Sequence, residues 1–418
     1  MSMNLVGRLA KRNIFRNTRR TLLTICLVAC GLAALLFTDA FVRGMTTSMI
    51  KISTETFLGD AQIHQQGFRE ANDIDIYIKD TKALFSQLDD NSTIKAYSPR
   101  TLSGGMLASS ENVAAALIYG IDADKEAELS KLKKAMKRGR YLSGNADENS
   151  SNKRISNEIL IGDDLAELLE VDLGDRIVVT LSQAHEGDLS QELFRVSGIF
   201  HFNDRQMDKN MAFVHLTQGK SMLGIKGVHE VALRLQHTEQ ADDKSLGLWK
   251  TLNNTNLETL NWRELIPQLS SMLNMSSYST LIASIIMFVL VALGLINSMF
   301  MSIYERHNEF GILLAIGTRP KQLFWQILLE GFFIGVLSLL VGLILGTLLS
   351  YWKSISGIDY SGTEMSGISL NEPIYLIIDY LAFAKISLSV LVITVLSCIY
   401  PAIHAARLQP SFAMRKAL

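Results

Sequence analysis

The spacing of the apolar segments constrains this chain more than any other feature of its sequence. One such segment lies near the N-terminus, at residues 21–38, and three lie in the C-terminal third, at 278–304, 322–352 and 386–400. Within all four, Glu330 is the only charged residue. A helix needs roughly 20 apolar residues to cross a bilayer core about 30 Å thick. The sequence therefore predicts four membrane helices in a 1 + 3 arrangement, with a large polar domain after the first.

These segments divide the chain as follows. We predict a basic segment at 1–20, membrane helices at 21–43, 275–304, 322–352 and 380–403, a large domain at 44–274, a short connection at 305–321, a loop at 353–379 and a tail at 404–418. The fold class is thus membrane α-helical with a large α+β extracytoplasmic domain.

The distribution of charge predicts the orientation in the membrane. Lysine and arginine near membrane helices mark the cytoplasmic side. The first twenty residues contain no acid and six basic residues: Arg8, Lys11, Arg12, Arg16, Arg19 and Arg20. The connection at 305–321 and the tail are also basic, whereas the loop at 353–379 is mainly acidic. We expect a multi-pass protein of the bacterial inner membrane, with both termini cytoplasmic and the large domain periplasmic.

Two other interpretations of the N-terminal segment are open. A basic arm can bind nucleic acid, but its position against an apolar segment favours membrane anchoring. A cleavable signal peptide also combines basic and apolar residues. The apolar segment here is long and lacks a clear cleavage site. We therefore predict an uncleaved anchor and no nucleic-acid partner.

Periodicity in the large domain predicts a mixture of strands and helices. Alternation of polar and apolar residues, which is typical of half-buried strands, occurs at 60–65 and 73–79. Similar strand-like segments are 114–121, 176–181, 193–200, 211–215 and 228–235. The segment 159–171 is typical of a strand followed by a short helix. We predict a solvated charged helix at 124–137 and a flexible linker at 143–155. Helical periodicity at 42–58 and 262–277 predicts a stalk that continues two of the membrane helices.

The sequence shows no sign of enzymatic chemistry. It contains no phosphate-binding loop of the type Gly-x-x-x-x-Gly-Lys-Ser/Thr, no His-Glu-x-x-His and no Gly-x-Ser-x-Gly. The eight histidines are scattered, and a zinc site at His201 and His215 is a weak alternative. The three cysteines lie in predicted membrane helices, where they behave as small apolar residues. We predict no catalytic residue, no metal and no bound cofactor in this chain.

The connection after the second membrane helix has the features of a docking element. The helix is predicted to end near Tyr304, and a charged corner precedes a short amphipathic helix at 310–316. Gly317 suits the end of that helix, and Pro320 suits the first turn of the next one. A plain helix–loop–helix connection is the alternative to a docking element.

Motifs at three places resemble one family. The corner contains Glu305-Arg306, then Glu-Phe-Gly-Ile-Leu from Glu309, then Ala-Ile-Gly from Ala315. The C-terminal part contains Tyr400-Pro401, an Ala-Ala-Arg that ends at Arg407, and Pro-Ser-Phe-Ala-Met-Arg from Pro410. Together with the basic start and the 1 + 3 arrangement, these motifs resemble the FtsX/MacB-like ABC transporter permeases (type VII ABC superfamily). The segment from Gly59 to His64 resembles the lipoprotein-releasing LolC/LolE branch.

The resemblance implies a mechanism and partners. It implies that 1–20 is an amphipathic helix, that a separate ABC ATPase binds ATP and magnesium, and that a second permease chain, identical or different, completes the complex. ATP-driven movement of the corner would tilt the membrane helices and change the outer domain, a mechanism called mechanotransmission. The implied ATPase-coupling residues are Tyr304, Glu305, Arg306, Glu309, Phe310, Gly311, Leu313, Ile316, Gly317 and Arg319.

Other residues suggest a substrate site and helix packing. Apolar residues of the stalk are candidates for substrate binding, with stalk packing as the alternative: Phe57, Leu58, Leu269, Met272, Leu273 and Met275. Two glycine pairs at 331/335 and 342/346 allow close helix packing, within the chain or between subunits. Glu330 is expected to pair with a basic residue of the tail.

The most concrete function that follows is the release of a lipoprotein, or the handling of another lipid-anchored or hydrophobic substrate, at the outer leaflet. Membrane lipid, lipoproteins and a periplasmic carrier are the expected further partners. An exporter of a peptide or small molecule, and a non-transporting signalling subunit that regulates a cell-envelope enzyme, are the alternatives.

Overall fold

A computed structural model describes residues 12, 16, 18–143, 157–184, 187–244, 249, 252, 256–360, 363–365, 368–370 and 373–407. The chain divides into two compact units. The helical unit comprises Met1–Thr47, Leu273–Asp359 and Ile374–Leu418, and the sheet unit comprises Ser48–Met272 and Tyr360–Pro373. Most of the predicted helix at 1–20, most of the predicted linker at 143–155, and the tail from 408 onward lie outside the described residues.

The elements are numbered in chain order. The helices are α1 Thr18–Ser53, α2 Phe68–Ala71, α3 Thr81–Asp89, α4 Ala123–Leu129, α5 Asp163–Leu169, α6 Arg205–Asn210, α7 Leu216–Leu223, α8 Trp262–Leu265, α9 Pro267–Glu305, α10 His307–Ala315, α11 Pro320–Ser356 and α12 Tyr380–Ala406. The strands are β1 Ala61–Gln65, β2 Ile94–Ala108, β3 Val113–Ile121, β4 Met136–Gly139, β5 Glu158–Gly162, β6 Arg176–Ser182, β7 Leu189–Phe200, β8 Met211–His215, β9 Glu230–Leu235, β10 Leu257–Asn261, β11 Thr363–Met365 and β12 Ile368–Leu370. A π-helical turn, Thr54–Leu58, follows α1 directly.

Four helices in the described part of the chain are long and apolar enough to cross a membrane. They are α1 with the turn that follows it, α9, α11 and α12. One precedes the sheet unit in sequence and three follow it, which confirms the predicted 1 + 3 arrangement. Pro267 begins α9 and Pro320 begins α11, at the first helical position where the missing N–H of proline costs no hydrogen bond.

The glycine pairs of α11 pack against helices of the same chain. A Cβ atom at Gly342 would lie 2.8 Å from the carbonyl oxygen of Ala29, and one at Gly346 would lie 2.9 Å from Leu36. Gly335 packs against α12 in the same way, because a Cβ atom at Gly335 would lie 3.0 Å from Thr394. Small residues four positions apart let helix backbones approach closely in lipid. Of the two alternatives for these glycines, the structure thus shows packing within the chain.

The core of the sheet unit is a closed ring of strands. Among the described residues ten strands form one sheet, in the order β10-β1-β9-β2-β3-β8-β5-β7-β4, and β6 pairs with both β2 and β7. The strands β2, β3, β8, β5, β7 and β6 therefore close on themselves. Alternate residues point inward, as in β3, where Ala114, Ala116 and Ile118 are buried and Val113 and Leu117 are exposed. Strands β9, β1 and β10 extend the sheet beyond the ring.

Most of the predicted strands are confirmed, since the bounds of β1, β3, β6, β7, β8 and β9 differ from the predicted segments by at most four residues. The predicted strand at 73–79 is wrong, apart from a single bridge between Ile78 and Val228. Asp73 accepts hydrogen bonds from the backbone N–H groups of Asp75 and Ile76, which closes a turn in place of a ladder. Periodicity also missed β2 and β10. In β2, Pro99, Gly104 and Gly105 are residues that normally disfavour a strand.

The predicted solvated helix at 124–137 is also wrong in two respects. The helix ends at Leu129, and residues from Met136 belong to β4. The backbone N–H of Lys131 donates to the carbonyl oxygen of Glu55, so that a contact distant in sequence replaces the next helical bond. Glu126, in the middle of this charged segment, is fully buried.

Candidate functional site

The corner segment, residues 304–319, is shaped by two helix ends. Helix α9 ends at Glu305, Arg306 leaves the helical conformation at φ −105° and ψ 15°, and α10 begins at His307. Gly317 ends the corner at φ +100°, a backbone conformation that favours glycine. The N–H groups of Gly317 and Thr318 donate to the carbonyl oxygens of Leu314 and Leu313, which satisfies the end of α10.

Arg306 holds the corner segment together. Its Nη1 donates to Glu330 Oε2 at 3.2 Å, its Nε donates to Glu309 Oε2 at 3.3 Å, and its guanidinium lies 4.9 Å from the centre of the Phe310 ring. Arg306 and Glu330 are both buried. The expectation that Glu330 pairs with a base of the tail is therefore wrong, because its partner comes from the corner. A buried charge needs such a partner, since leaving it unpaired is costly.

The start of α1 and Arg16 also contact the corner segment. Arg16 forms an ion pair with Glu309, and Arg20 forms one with Glu305. Nη2 of Arg20 also donates to the hydroxyl of Ser302 at 2.8 Å. Burial alone would raise the pKa of Glu309, but the hydrogen bonds from Arg16 and Arg306 outweigh it and lower that pKa. Glu309 is thus held ionised between two arginines.

The structure sorts the predicted coupling residues into two groups. Tyr304, Glu305, Ile316, Gly317 and Arg319 are exposed. Phe310, Gly311 and Arg306 are buried, and Leu313 is half-buried against the same apolar cluster as Phe310, so these four pack inside the helical unit. Glu309 lies between the two groups, since it is partly exposed and contacts Arg306.

An exposed apolar stripe runs along α10 to its C-terminal end, and it joins Ile316, which was predicted as a coupling residue, with Ile312, which was not. Ile312 is 50% exposed and Ile316 is 79% exposed, and residues four positions apart lie on one face of a helix. The spacing of the two isoleucines could have revealed this stripe. The corner therefore presents isoleucines and charged groups outward and anchors itself through Arg306 and Phe310.

The sheet unit contains an apolar cavity beside the ends of its stalk segments. Its volume is about 700 Å³. It is lined by Met49, Ile52, Ser53, Thr56, Leu58, Phe202, Asp204, Gln206, Met207, Ile266, Gln268, Leu269 and Met272. Three methionines are among these residues, and methionine adapts its flexible side chain to irregular apolar partners.

Three of the six predicted substrate residues line this cavity: Leu58, Leu269 and Met272. Phe57 instead points into the domain and is buried in an aromatic cluster. Leu273 is buried and Met275 is exposed, and neither lines the cavity. Met49 and Met207 were missed, because Met207 is distant in sequence and only the fold brings it to the stalk.

The described residues contain no group of three histidine, cysteine or acidic side chains that could hold a metal ion. His201 lies 2.9 Å from Asp208, and His215 lies 3.9 Å from Glu158. Each of the two histidines that were considered for zinc thus faces a carboxylate.

Comparison with known families agrees with this architecture. A model of the MacB-like periplasmic core domain matches residues 21–244, more than half of the chain, and a model of the FtsX-like permease C-terminal matches residues 281–410. The chain belongs to the FtsX/MacB-like permeases. It is thus an ABC transporter permease of the LolC/LolE/MacB type, and the predicted family is confirmed.

Individual relatives match large parts of the chain. The permease is 27% identical to the lipoprotein-releasing system transmembrane protein LolC of Xylella fastidiosa over 313 residues, 72% of this chain and 73% of the relative. It is 21% identical to LolC of Neisseria meningitidis serogroup B over 427 residues, 98% of this chain and 96% of the relative. The crystal structure of the periplasmic region of MacB from Actinobacillus actinomycetemcomitans aligns with a TM-score of 0.35 and 15% identity, over 50% of this chain and 92% of that one.

Proposed function

We propose that this permease is the membrane subunit of an ATP-driven complex of the bacterial inner membrane that releases lipoproteins from the outer leaflet. ATP and magnesium bind to a separate ATPase subunit, and two permease chains form the membrane part. Both termini lie in the cytoplasm and the sheet unit lies in the periplasm. The work is delivered by mechanotransmission from the corner segment to the sheet unit.

We infer the substrate class from the apolar cavity of the sheet unit. Its volume of about 700 Å³ is within the roughly 300–1,000 Å³ that is typical of ligand sites. The lining combines Met49, Met207 and Met272 with leucine and isoleucine, and Asp204 is the one acidic residue in it. Such a lining suits acyl chains or an apolar peptide segment better than a polar solute. The names of the LolC relatives favour a lipoprotein as its source.

The exposed stripe of α10 supports an ATPase partner. Isoleucine side chains that remain exposed at Ile312 and Ile316 gain about 1.5–3 kcal/mol each when they are fully buried. The neighbouring charges of Glu305 and Arg319 would orient a partner surface, because complementary charges fix the register of docking. The helix is therefore suited to a groove on a protein that binds from the cytoplasm.

The experiment is photo-crosslinking in cells from a benzophenone amino acid at Met272. The expected result is a crosslink to a lipoprotein that disappears when lipidation of that lipoprotein is blocked by changing its acylated cysteine. The matched control places the same amino acid at Leu189, an exposed leucine of the sheet unit outside the cavity lining.

The other outcomes are equally distinct. Crosslinks to a peptide or small molecule alone would overturn lipoprotein release in favour of export. Crosslinks to a soluble cell-wall enzyme, without lipoproteins, would overturn it in favour of a signalling subunit. Equal yields at Met272 and Leu189 would mean that the cavity is not the substrate site.

A further inference from the structure

The end of α1, which belongs to the sheet unit from Ser48 onward, is joined to the sheet of that unit through a π-helical turn. The helix continues into the π-helical turn Thr54–Leu58, whose side chains at Thr54, Thr56 and Phe57 are buried. The last carbonyl groups of a helix have no partner within the helix and usually face water or a cap. Here the turn is enclosed by the domain that follows it.

All five carbonyl oxygens of this turn accept hydrogen bonds. The backbone N–H of Lys131 donates to Glu55 at 2.9 Å and to Thr56 at 3.2 Å, and Nε2 of Gln62 donates to Leu58 at 2.9 Å. The carbonyl oxygen of Thr54 accepts from the backbone N–H of Gly59, and the carbonyl oxygen of Phe57 accepts from the Arg100 side chain. The turn is therefore held by backbone and side chains from several elements of the sheet unit.

Arg100 of β2 is at the centre of this joint. Its Nε and Nη2 donate to the two carboxylate oxygens of Glu126 at 2.9 and 2.7 Å, and its Nη1 donates to Glu230 at 2.9 Å. Nη2 also donates to the carbonyl oxygen of Phe57 at 2.6 Å. The Arg100 side chain is 0% exposed. One guanidinium thus connects the helix end with β2, α4 and β9.

Phe57 adds an aromatic connection at the same point. Its ring centre lies 3.7 Å from the guanidinium carbon of Arg100, a cation–π contact. On its other sides the ring packs edge-on against Tyr119 at 4.8 Å and Phe213 at 5.0 Å. Arg100 therefore holds both the backbone and the side chain of the same residue.

The geometry leaves little freedom at this joint. Arginine presents its N–H groups in a planar, rigid fork, and a fully buried fork with four hydrogen bonds is fixed in position. A movement of the helix end must therefore move β2 and β9 as well, or break bonds of a buried charge. A lysine at this position would keep the charge but could not make the same set of bonds.

We propose that Arg100 is the positioning residue that makes the end of α1 and the sheet of the sheet unit move as one body. This inference rests on the proposed function, because it gives the element through which movement of a membrane helix reaches the domain that performs the work. All residues of the cluster around Arg100 belong to this chain, and none of them is among the residues proposed to contact the substrate or the ATPase.

The test uses the complete complex in lipid nanodiscs, with and without ATP plus vanadate. Hydrogen exchange is measured at the turn Thr54–Leu58 and at β2 and β9, together with ATP hydrolysis and release of lipoprotein. The main variant is R100M/E126Q/E230Q, which removes the joint without leaving a buried charge unpaired, and the unpaired charge is the costly consequence of breaking a buried ion pair. R100K is the second variant, which keeps the positive charge and loses the fork.

In the unaltered complex, nucleotide should change exchange in the turn and in both strands. In both variants the change in the turn should remain, the change in β2 and β9 should disappear, and lipoprotein release should fall by about tenfold, a typical size for coupling between sites. ATP hydrolysis should be unchanged. The control R140M/E158Q removes another ion pair with a buried acid in the same unit and should behave like the unaltered complex.

The outcomes separate this proposal from the proposed function. If the strands respond to nucleotide in the variants as in the unaltered complex, Arg100 has only a structural role and the proposal is wrong. If R100M/E126Q/E230Q does not fold, R100K decides the question: a nucleotide-dependent change of exchange in β2 and β9 equal to that of the unaltered complex overturns the proposal in the same way. If the unaltered complex shows no response to nucleotide at all, mechanotransmission itself is wrong, and the role of Arg100 falls with it.

Discussion

Two buried arginines at the ends of membrane-spanning helices use the same chemistry in different settings. Arg100 contacts Glu126, Glu230 and the ring of Phe57 where α1 ends. Arg306 contacts Glu309, Glu330 and the ring of Phe310 where α9 ends. Each arginine thus contacts two carboxylates and the ring of one phenylalanine. In both cases this phenylalanine comes shortly after the end of a long helix.

The difference is in how closed the two clusters are. The side chains of Arg100 and Glu126 are 0% exposed, and the hydrogen bonds of Arg100 are 2.6–2.9 Å long. Glu309 is 45% exposed, it is shared with Arg16, and the bonds of Arg306 are 3.2–3.3 Å long. The Arg100 cluster is therefore a fixed joint, whereas the Arg306 cluster has one side that can respond to a partner.

The largest expected effect is that of R100M alone. It leaves Glu126 and Glu230 buried without their cation, and removing one partner of a buried ion pair costs about 3–5 kcal/mol. The measurement is hydrogen exchange of β2 and β9 in the full chain in detergent. R100M/E126Q/E230Q should recover most of this loss. An equally unstable triple variant would mean that the charges are not the cause.

Acid should weaken the sheet unit next to the same cluster. His64, paired across β1 and β9 with Glu230, is fully buried, and burial lowers the pKa of His64 from 6.5 to about 4. The unfolded chain then binds more protons than the folded one below pH 6.5. This contribution to stability is thus fully present above pH 6.5 and is lost as the pH falls towards 4, by about 3 kcal/mol in total.

The measurement for this prediction is hydrogen exchange of β1 and β9 at pH 7.5 and 5, corrected for intrinsic rates, with α11 as internal reference. Burial also lowers the pKa of His215 and His229, so some acid dependence remains in any single variant. His64→Gln should remove the part that is local to β1. An unchanged difference in β1 would contradict the assignment to His64.

R306M should have a smaller effect on stability than R100M. It leaves Glu330 buried, but the carboxylate of Glu309 remains in contact with solvent and ion-paired with Arg16. Because R306M leaves one buried acid without its cation where R100M leaves two, its cost should lie near the lower end of the range for a broken buried ion pair, about 3 kcal/mol. The measurement is hydrogen exchange of α10, with R306M/E330Q as the variant that restores neutrality. If R306M lost as much stability as R100M, the two clusters would be equally closed, and the contrast between them would be wrong.

The membrane helices and the position of the corner between α9 and α11 could be predicted from the sequence, because length and hydrophobicity alone decide whether a helix spans a bilayer. The strands with regular alternation, such as β6, could be predicted for a similar reason: their burial repeats every second residue. The turn at Gly317 and the helix start at Pro320 were also predictable, since each depends on one residue with a special backbone.

The arginine clusters could not be predicted, because their members are far apart in the chain. Glu230 follows Arg100 by 130 positions, and Glu126 is in a segment so rich in charge that solvation is the natural expectation. Glu330 was recognised as needing a partner, but only the fold decides between Arg306 and the tail. Long-range pairing of this kind leaves no periodic signal in one sequence.

The smallest expected effect on stability is that of Ile316→Asp on the exposed side of the corner. Ile316 is 79% exposed, so the substitution should change stability by less than about 0.5 kcal/mol, as is usual at the surface. Binding of the ATPase should nevertheless be lost, because a charge would replace an apolar group that becomes buried on docking. The measurement is copurification of the ATPase with the tagged permease from membranes.

Ile316→Leu is the matched control, since it keeps the apolar side chain and should retain the ATPase. Hydrogen exchange of α10 checks that the corner is intact in both variants. If Ile316→Asp still copurifies with the ATPase, the exposed side of the corner is not the docking surface, and the openness of the Arg306 cluster needs another explanation. If binding is lost while exchange is unchanged, the Arg306 cluster supports a surface that acts through a partner, whereas the contacts of the Arg100 cluster are all within the chain.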